Sequence, residues 1–260
     1  MAQDRYLNKS LDKALKVLDV FDDSCREGLS LTELAQLLET RPGTIYPILH
    51  TLECAHYLIR DLHTKRYRLG LKILAKANHL LSSLDIREQA KPILRRLTQT
   101  LNTNSYLGVL YKRELLYLDC QEVAVSISTI SRPIIGLRDY LHCTALGKVL
   151  IAHNSEIAEH LLKDGELPVV TIHTIASPVA LRHELDGVAK QGYALDKEES
   201  QIGNICVAAP VRDYQSRVIA AISVAITTSR FEHEPLDRLT TAVIEGANEI
   251  SQNMGHSVPD

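Results

Sequence analysis

The sequence predicts an α+β fold, with an N-terminal winged helix-turn-helix, a linker helix and a C-terminal antiparallel sheet domain with flanking helices. Apolar residues recur at helical spacing through three N-terminal segments, and a short hairpin pattern follows them. Farther along the chain, strand and helix patterns mix in a non-repeating order, which favours an antiparallel sheet over a doubly wound one. We therefore expect three parts, at residues 1–70, 71–84 and 85–260.

The composition is that of a globular protein with enough apolar residues for a core. The chain has 260 residues, of which 45% are hydrophobic, and no tryptophan. No apolar run approaches the roughly 20 residues of a membrane helix, and the N-terminal residues lack an apolar signal core. We therefore expect a cytoplasmic protein with no membrane partner. The five cysteines are widely spaced and odd in number, which predicts reduced thiols.

Local signals place the first two helices and the wing. Residues 8–24 show a helical apolar stripe, and Ser10 is the expected cap of that helix. Ser30 is the expected N-cap of the second helix, and Glu33 completes a capping box. Residues 57–69 alternate around a polar tip and predict a two-stranded hairpin, the wing.

A third helix is the candidate DNA-reading element. It buries one apolar face and leaves short polar side chains on the other, as suits a helix in a major groove. Between residues 41 and 76 there are seven basic and two acidic residues, an excess that suits a phosphate backbone. The predicted partner is double-stranded DNA, and the candidate contacts are Arg41, Thr44, Tyr46, Pro47, Thr51, Lys65, Arg66 and Arg68.

Residues 71–84 predict an amphipathic helix with more apolar surface than a small winged domain can cover. We therefore expect it to be a linker and dimerisation helix. The next helix, at 86–101, contains Pro92, which predicts a kink or a fresh start near Lys91. Beyond it we expect strands at 106–111, 115–120, 125–130, 193–196, 206–211 and 218–225, and helices at 144–153, 155–163, 178–191 and 231–253.

Segments along nearly the whole chain resemble the IclR-type transcriptional regulators. Ser10–Leu18 resembles the opening of the family's DNA-binding domain, and Tyr67–Leu74 resembles the end of its wing. Leu141–Ala152 contains the family's pattern His-x-Thr-Ala-x-Gly-Lys. Two later segments together resemble the family's effector-domain signature, Gly192–Glu199 and Gly203–Val211.

The resemblance implies a winged helix-turn-helix joined to a GAF-like effector domain, with no enzymatic activity and no cofactor. It implies a homodimer or homotetramer on a near-palindromic operator. The function it implies is a ligand-responsive repressor or activator of a catabolic operon. The implied effector is a small organic acid, such as a sugar acid or an aromatic acid.

Two segments converge in the resemblance to form the candidate effector site, together with a later strand. The helix start at Ala145–Gly147 offers backbone N–H groups, which favour a carboxylate. Asp196 would accept a ligand hydroxyl, and Cys206 would form a small polarisable wall. The candidate effector residues are His142, Thr144, Ala145, Gly147, Asp196, Cys206 and Ser223, with Ser229 as a further hydroxyl.

The third helix departs from the family's usual pattern, Lys-Ser-Thr-Val-His-Arg-Leu-Leu. Here the corresponding segment is Pro42–Leu49, and Pro47 stands where the family has arginine. With Gly43 as N-cap, Pro47 would be at the fourth helical position, the edge of tolerance for proline. Tyr46 and Thr44 are then the best groove-facing candidates.

Two other function classes fit some of the same residues. A metal-responsive regulator would use His142, Cys143, Asp196 and Cys206 as mixed ligands. A cysteine-dependent enzyme would use Cys206 as nucleophile, His142 as base and Asp196 as the residue that orients the base. The ligands of the first are scattered singly along the chain, and the second lacks a Gly-x-Ser-x-Gly nucleophile elbow.

Overall fold

The computed structural model describes residues 7–21, 25, 27–82, 85–123, 135–163, 165 and 167–257. The chain forms two compact units, Met1–Ser83 and Leu84–Asp260. The strand predicted at 125–130 lies outside the described residues. Among the described helices, none is long and apolar enough to cross a bilayer.

The first unit is the predicted winged helix-turn-helix. Its elements are α1 (Lys9–Asp19), α2 (Leu31–Leu37), α3 (Pro42–Cys54), β1 (Leu58–Arg60), β2 (Tyr67–Leu69) and α4 (Leu71–Ser82). Strands β1 and β2 pair antiparallel, and Leu29 bridges to Tyr67 beside them. The core of this unit joins α1, α2, α3 and the wing through buried Val17, Leu34, Ile45, Leu49, Leu58 and Tyr67.

The capping box predicted for α2 is confirmed, whereas the cap predicted for α1 is wrong. The Ser30 side chain accepts from Glu33 N–H, and the Glu33 carboxylate accepts from Ser30 N–H. In α1 the cap is Asn8, whose side chain accepts from two N–H groups of the first turn. Asn8 is as strong an N-cap as serine and stands earlier in the chain, so α1 begins at Lys9. The helix ends at Asp19.

Helix α3 begins earlier than predicted, with Arg41 as N-cap and Pro42 as its first residue. Proline is favoured at that position because its missing N–H would have no intrahelical partner there. Pro47 is therefore the sixth helical residue, not the fourth, and it lies inside the helix. The missing N–H leaves the Gly43 carbonyl without its usual donor, and Thr51 Oγ1 donates to the Pro47 carbonyl oxygen at 2.8 Å.

The second unit is an antiparallel sheet with helices on both faces. Its strands are β3 (Asn104–Tyr111), β4 (Glu114–Gln121), β5 (Arg138–Asp139), β6 (Ala194–Lys197), β7 (Asn204–Arg212) and β8 (Val218–Thr227), in the order β5-β4-β3-β8-β7-β6. Its helices are α5 (Asp85–Leu101), α6 (Ala145–Ala152), α7 (Ser155–Lys163), α8 (Pro178–Gln191), α9 (Thr228–Phe231) and α10 (Leu236–Asn253).

The period-2 alternation of the strands assigns one set of side chains to each face. Ile205 and Val207 of β7 join the core beneath α5 and α10, together with Ile222 and Val224 of β8. Ala208, the residue after Val207, joins the core beneath α6 and α8. Side chains at i and i+2 share a face of a strand, so each strand contributes to both cores.

Three details of the second unit differ from the predictions. Strand β5 has two residues and was not predicted, because two residues show no periodicity. Helix α5 is one helix through Pro92, so of the two alternatives predicted there, a kink or a fresh start, the fresh start is not found. Helix α10 begins five residues later than the helix predicted at 231–253, with Pro235 as its N-cap, and the short α9 precedes it. The residue before a proline avoids the helical region, which separates the two helices.

Candidate functional site

The exposed face of α3 carries the side chains predicted to contact DNA. Thr44, Pro47 and Thr51 are exposed, and Tyr46 has 46% of its surface accessible. Ile45 and Leu49 are buried in the core, so the predicted apolar stripe is confirmed. The Tyr46 ring stacks on His50 one turn later, with 6.4 Å between the ring centroids. Arg41, Lys65 and Arg68 are exposed as well.

Arg66 is placed differently from the other predicted phosphate contacts. Its guanidinium is 2.9 Å from Glu33 Oε1, and its Nε donates to the Gly28 carbonyl oxygen at 3.0 Å. The pKa of Glu33 is lowered to about 2, first by the Ser30 N–H and also by Arg66. Arg66 therefore ties the wing to the start of α2, which is at odds with the phosphate role predicted for it. Sequence spacing could not reveal this pair, which is 33 residues apart.

The second unit contains a cavity of about 330 Å³ between the start of α6 and the sheet. Strand alternation explains its sheet wall, because Asn204 and Cys206 of β7 share one face, as do Ser223 and Ala225 of β8. The wall consists of Tyr106, Tyr117, Leu137, Asp139, Thr144, Ala145, Leu146, Asp196, Ser200, Gln201, Asn204, Cys206, Ser223 and Ala225.

Five of the predicted effector residues line this cavity: Thr144, Ala145, Asp196, Cys206 and Ser223. His142 does not line it, because its Nε2 is 2.9 Å from the Pro168 carbonyl oxygen. Burial lowers the pKa of this imidazole. His142 is therefore a satisfied buried histidine, and its prediction as an effector contact is not supported by its position.

Two further predicted residues are also absent from the cavity wall. Gly147 N–H donates to Thr144 Oγ1 at 3.1 Å, so this group is already paired. A Cβ on Gly147 would lie 2.4 Å from the Leu141 carbonyl oxygen, which explains the glycine by close packing of the backbone. Ser229 lies on α9, with its Oγ 3.2 Å from Thr227 Oγ1.

Residue-by-residue reasoning missed several cavity residues, among them Tyr106, Tyr117, Asp139 and Asn204. Asn204 could have been found, since it stands two residues before Cys206 on one strand. Asp139 gave no such signal, because it lies on the two-residue strand β5. Its carboxylate accepts from Tyr140 N–H at 2.8 Å and lies 3.5 Å from the Tyr117 hydroxyl. Burial raises the pKa of Asp139.

Hydrogen bonds hold Asp196 in one orientation in the cavity wall. Its Oδ1 accepts from the N–H groups of Glu199 and Ser200, at 2.7 and 3.3 Å, and its Oδ2 accepts from the Ser200 hydroxyl. Burial raises the pKa of Asp196 against the lowering effect of these donors. These donors thus fix the orientation of the Asp196 carboxyl.

A buried ion-pair group lies behind Asp196. Lys148 of α6 has no accessible side-chain surface, and its Nζ is 2.6 Å from Glu199 Oε1 and 2.9 Å from Glu184 Oε1. The pKa of Glu199 is raised by burial, and Lys148 is the largest influence that lowers it. Because Glu199 N–H also binds Asp196, Lys148 connects α6 and α8 to the loop of the cavity wall.

We predict that Lys148→Met destabilises the second unit by roughly 3–5 kcal/mol, because it leaves Glu199 as an unpaired buried charge. Adding Glu199→Gln should recover part of this loss. Protonation of Glu199 removes the same charge, so the loss should be smaller at pH 5 than at pH 8. Thermal unfolding of both variants measures these effects, with Lys190→Met at an exposed site as the control. Equal losses for Lys148→Met and Lys190→Met would contradict the role of the group.

In the described part of the chain, the residues named for the metal-responsive regulator and for the cysteine-dependent enzyme do not form such a site. Within the described segments, no group of three or more His, Cys, Asp or Glu residues could hold a metal ion. Cys143 is buried, and burial raises the pKa of its thiol to about 12. Burial and Asp196 raise the pKa of Cys206, which is the opposite of what a nucleophilic thiol requires. The structure describes all five cysteines, and none forms a disulfide.

Comparison with known proteins assigns both units to one family. Residues 10–62 match the IclR helix-turn-helix domain, and residues 78–252 match the bacterial transcriptional regulator IclR C-terminal domain. The chain is 34% identical to the HTH-type transcriptional regulator XynR of Escherichia coli, over 95% of this chain and 98% of that protein. It is 31% identical to the HTH-type transcriptional regulator KdgR of Dickeya chrysanthemi, over 96% of this chain and 83% of that protein.

Solved structures show the same fold. The Thermotoga maritima IclR structure superposes with a TM-score of 0.73 at 28% identity, over 95% of this chain and 99% of that one. An IclR homologue from Microbacterium hydrocarbonoxydans, complexed with 4-hydroxybenzoate, gives a TM-score of 0.82 at 23% identity, over 94% of this chain and 98% of that one. These relatives are regulators and not enzymes. The chain therefore belongs to the IclR family of helix-turn-helix transcriptional regulators.

Proposed function

We propose that this ligand-responsive regulator binds a small organic acid in the cavity beneath α6 and changes its operator binding in response. The proposal rests on one cavity in which the start of a helix meets a wall of polar side chains. The N–H groups of Ala145 and Leu146 open α6 and have no intrahelical partner there. Such groups favour an anion, by roughly 0.3–1 kcal/mol from the helix dipole alone.

The placement of the acceptors also gives the acid an orientation. Asp196 is itself an acid, so it suits a ligand hydroxyl and would repel the ligand carboxylate. The Thr144 hydroxyl accepts from Gly147 N–H, so this third N–H of the helix start is not available to a ligand. The carboxylate is therefore expected at Ala145 and Leu146, and the remainder of the ligand toward Asp196, Cys206 and Ser223.

The proposal is tested by thermal shift with a panel of small carboxylic acids, because a ligand that binds the native state raises its stability. Hits are then titrated into the protein bound to an operator obtained by selection from random duplexes. A hit that changes operator affinity supports the proposal. A panel without any hit would contradict the sensing of a small acid.

We predict that Cys206→Leu weakens the binding of the best acid of this panel by roughly 1–3 kcal/mol, because the larger side chain overpacks the cavity. Titration calorimetry measures the loss. Cys143→Ala is the matched control, since Cys143 is buried next to α6 but does not line the cavity. Wild-type affinity in Cys206→Leu would place the effector elsewhere.

For the DNA side we propose that Thr44 and Tyr46 of α3 contact base edges, with Pro47 and Thr51 beside them in the groove. Arg41 at the start of α3, Lys65 at the wing tip and Arg68 on β2 are the proposed phosphate contacts. All these side chains are exposed on one winged unit. Phosphate contacts position a domain on the duplex, and base contacts specify the sequence.

We predict that Arg68→Ala weakens binding to all duplexes alike and makes the salt dependence of log K shallower by about one unit, because one phosphate contact is lost. Arg66→Ala is the informative partner, since Arg66 pairs with Glu33. It should lower the stability of the winged unit without a comparable change in the salt slope. An unchanged slope in Arg68→Ala, with loss at one sequence only, would exclude the phosphate role.

We further propose that α4 takes part in the assembly of a homodimer or homotetramer on a near-palindromic operator. Leu71 and Leu74 of α4 have 81% and 66% of their surface exposed. Lys72 Nζ donates to the Ala55 carbonyl oxygen and lies 4.7 Å from the Tyr57 ring centroid. The polar side of α4 is therefore fixed to its own unit, while the two leucines remain uncovered.

We predict that Leu74→Glu weakens the dimer and lowers operator affinity, because a two-fold operator needs paired readers. Sedimentation velocity and operator binding measure the two effects. Lys76→Glu, at an exposed position of the same helix, is the charge control. An intact dimer in Leu74→Glu would contradict this role of α4 and place the dimer interface in the second unit.

A further inference from the structure

Three hydroxyls of the cavity wall already donate their protons within the protein. The Ser200 hydroxyl donates to Asp196, and the Tyr117 hydroxyl lies 3.5 Å from Asp139 Oδ2. Thr144 Oγ1 donates to the Tyr140 carbonyl oxygen at 2.8 Å. What these hydroxyls and carboxyls present to a ligand is therefore lone pairs.

Asn204 adds an acceptor that the protein leaves unpaired. The residue is 7% exposed, and its Nδ2 is 3.3 Å from Cys206 Sγ. Its Oδ1 is buried and has no hydrogen-bond partner among the described residues. Buried polar atoms in native proteins are nearly always paired, and the exceptions commonly mark a place where another molecule supplies the partner. Asn204 lines the cavity, so a ligand can supply the missing donor there.

Two carboxyls, the half-buried Asp139 and the buried Asp196, complete this set of acceptors. Asp139 and Asp196 both line the cavity, and burial raises the pKa of each. No lysine, arginine or histidine is found among the described wall residues. A ligand carboxylate thus has the start of α6 as its anion site, and the rest of the ligand meets oxygen acceptors.

We propose that the cavity selects a polyhydroxylated carboxylic acid of the aldonic type over aromatic and unsubstituted acids. Its hydroxyls donate to Asp139, Asp196 and Asn204 while its carboxylate lies at the start of α6. This inference rests on the proposed acid sensing and adds the ligand class to it. The volume agrees, because about 330 Å³ lies at the small end of ligand pockets, which span roughly 300–1,000 Å³.

Aromatic acids fit this set of acceptors poorly. A monohydroxylated benzoate brings a single hydroxyl donor, so it can donate to only one of the three acceptors. An unsubstituted aliphatic acid pairs none of them. A site built to bind hydroxyls discriminates strongly against analogues that lack them, because its own buried polar groups then lose their partners.

The test is calorimetric titration of the full chain with three groups of probes. The aldonates D-xylonate, D-gluconate and D-galactonate represent the proposed class. Hexanoate and 4-hydroxybenzoate retain the carboxylate without the row of hydroxyls, and sorbitol retains the hydroxyls without the carboxylate. We expect the best aldonate to bind at least about a hundredfold more tightly than hexanoate, at about tenfold for each of at least two hydroxyls that donate to these acceptors.

Two variants connect this preference to the named acceptors. Asn204→Leu and Asp139→Asn should each reduce the aldonate-to-hexanoate affinity ratio by about tenfold. Asp213→Asn changes a buried carboxylate that pairs with Arg217 outside the cavity, and it should leave the ratio unchanged. The wild-type probe comparison stands by itself if a variant fails to fold.

The outcomes separate this inference from the proposed function. Binding of hexanoate or 4-hydroxybenzoate as tightly as any aldonate would overturn the ligand class and leave acid sensing intact. Binding of sorbitol as tightly as gluconate would overturn acid sensing and uphold recognition of hydroxyls. Absence of binding by every probe would overturn both.

Discussion

The second unit depends on the difference in side-chain size between the two faces of its antiparallel sheet. On β7 and β8 the face toward α5 and α10 carries Ile205, Val207, Ile222 and Val224. The opposite face of the same strands has Cys206, Ser223 and small alanines. Large branched residues close one side into a dry core, and small residues leave room on the other.

The start of α6 would have little effect on a ligand if its position were not fixed. Gly147 lets the helix approach the Leu141 backbone closely, and Thr144 caps it. Lys148, one turn into the helix, reaches Glu199 in the loop that follows β6. The same loop supplies the donors that hold Asp196. The helix start and the carboxyl that faces it are thus parts of one hydrogen-bonded structure, which preorganises the cavity.

Sequence reasoning could predict those features that depend on local signals. The Ser30–Glu33 capping box, the apolar stripe of α3 and the wing all follow from spacing, and the structure confirms them. The resemblance supplied the pairing of the α6 start with Asp196 and Cys206. Asp139 and the Arg66–Glu33 pair depend on contacts between distant segments, which no local pattern records. His142 stands in the family motif, but its ring is bound to Pro168 instead of facing the cavity.

The exposed face of α3 has consequences for how this regulator would read DNA. With Pro47 in place of the usual arginine, the exposed residues Thr44, Tyr46 and Thr51 include no cation. The Thr51 hydroxyl donates to the Pro47 carbonyl, so its methyl group remains as an apolar contact. Threonine methyl groups and tyrosine edges suit thymine methyl groups better than the paired acceptors of guanine, which arginine favours. The proposed contacts thus separate two tasks, with affinity from Arg41, Lys65 and Arg68 and base preference from an uncharged helix face.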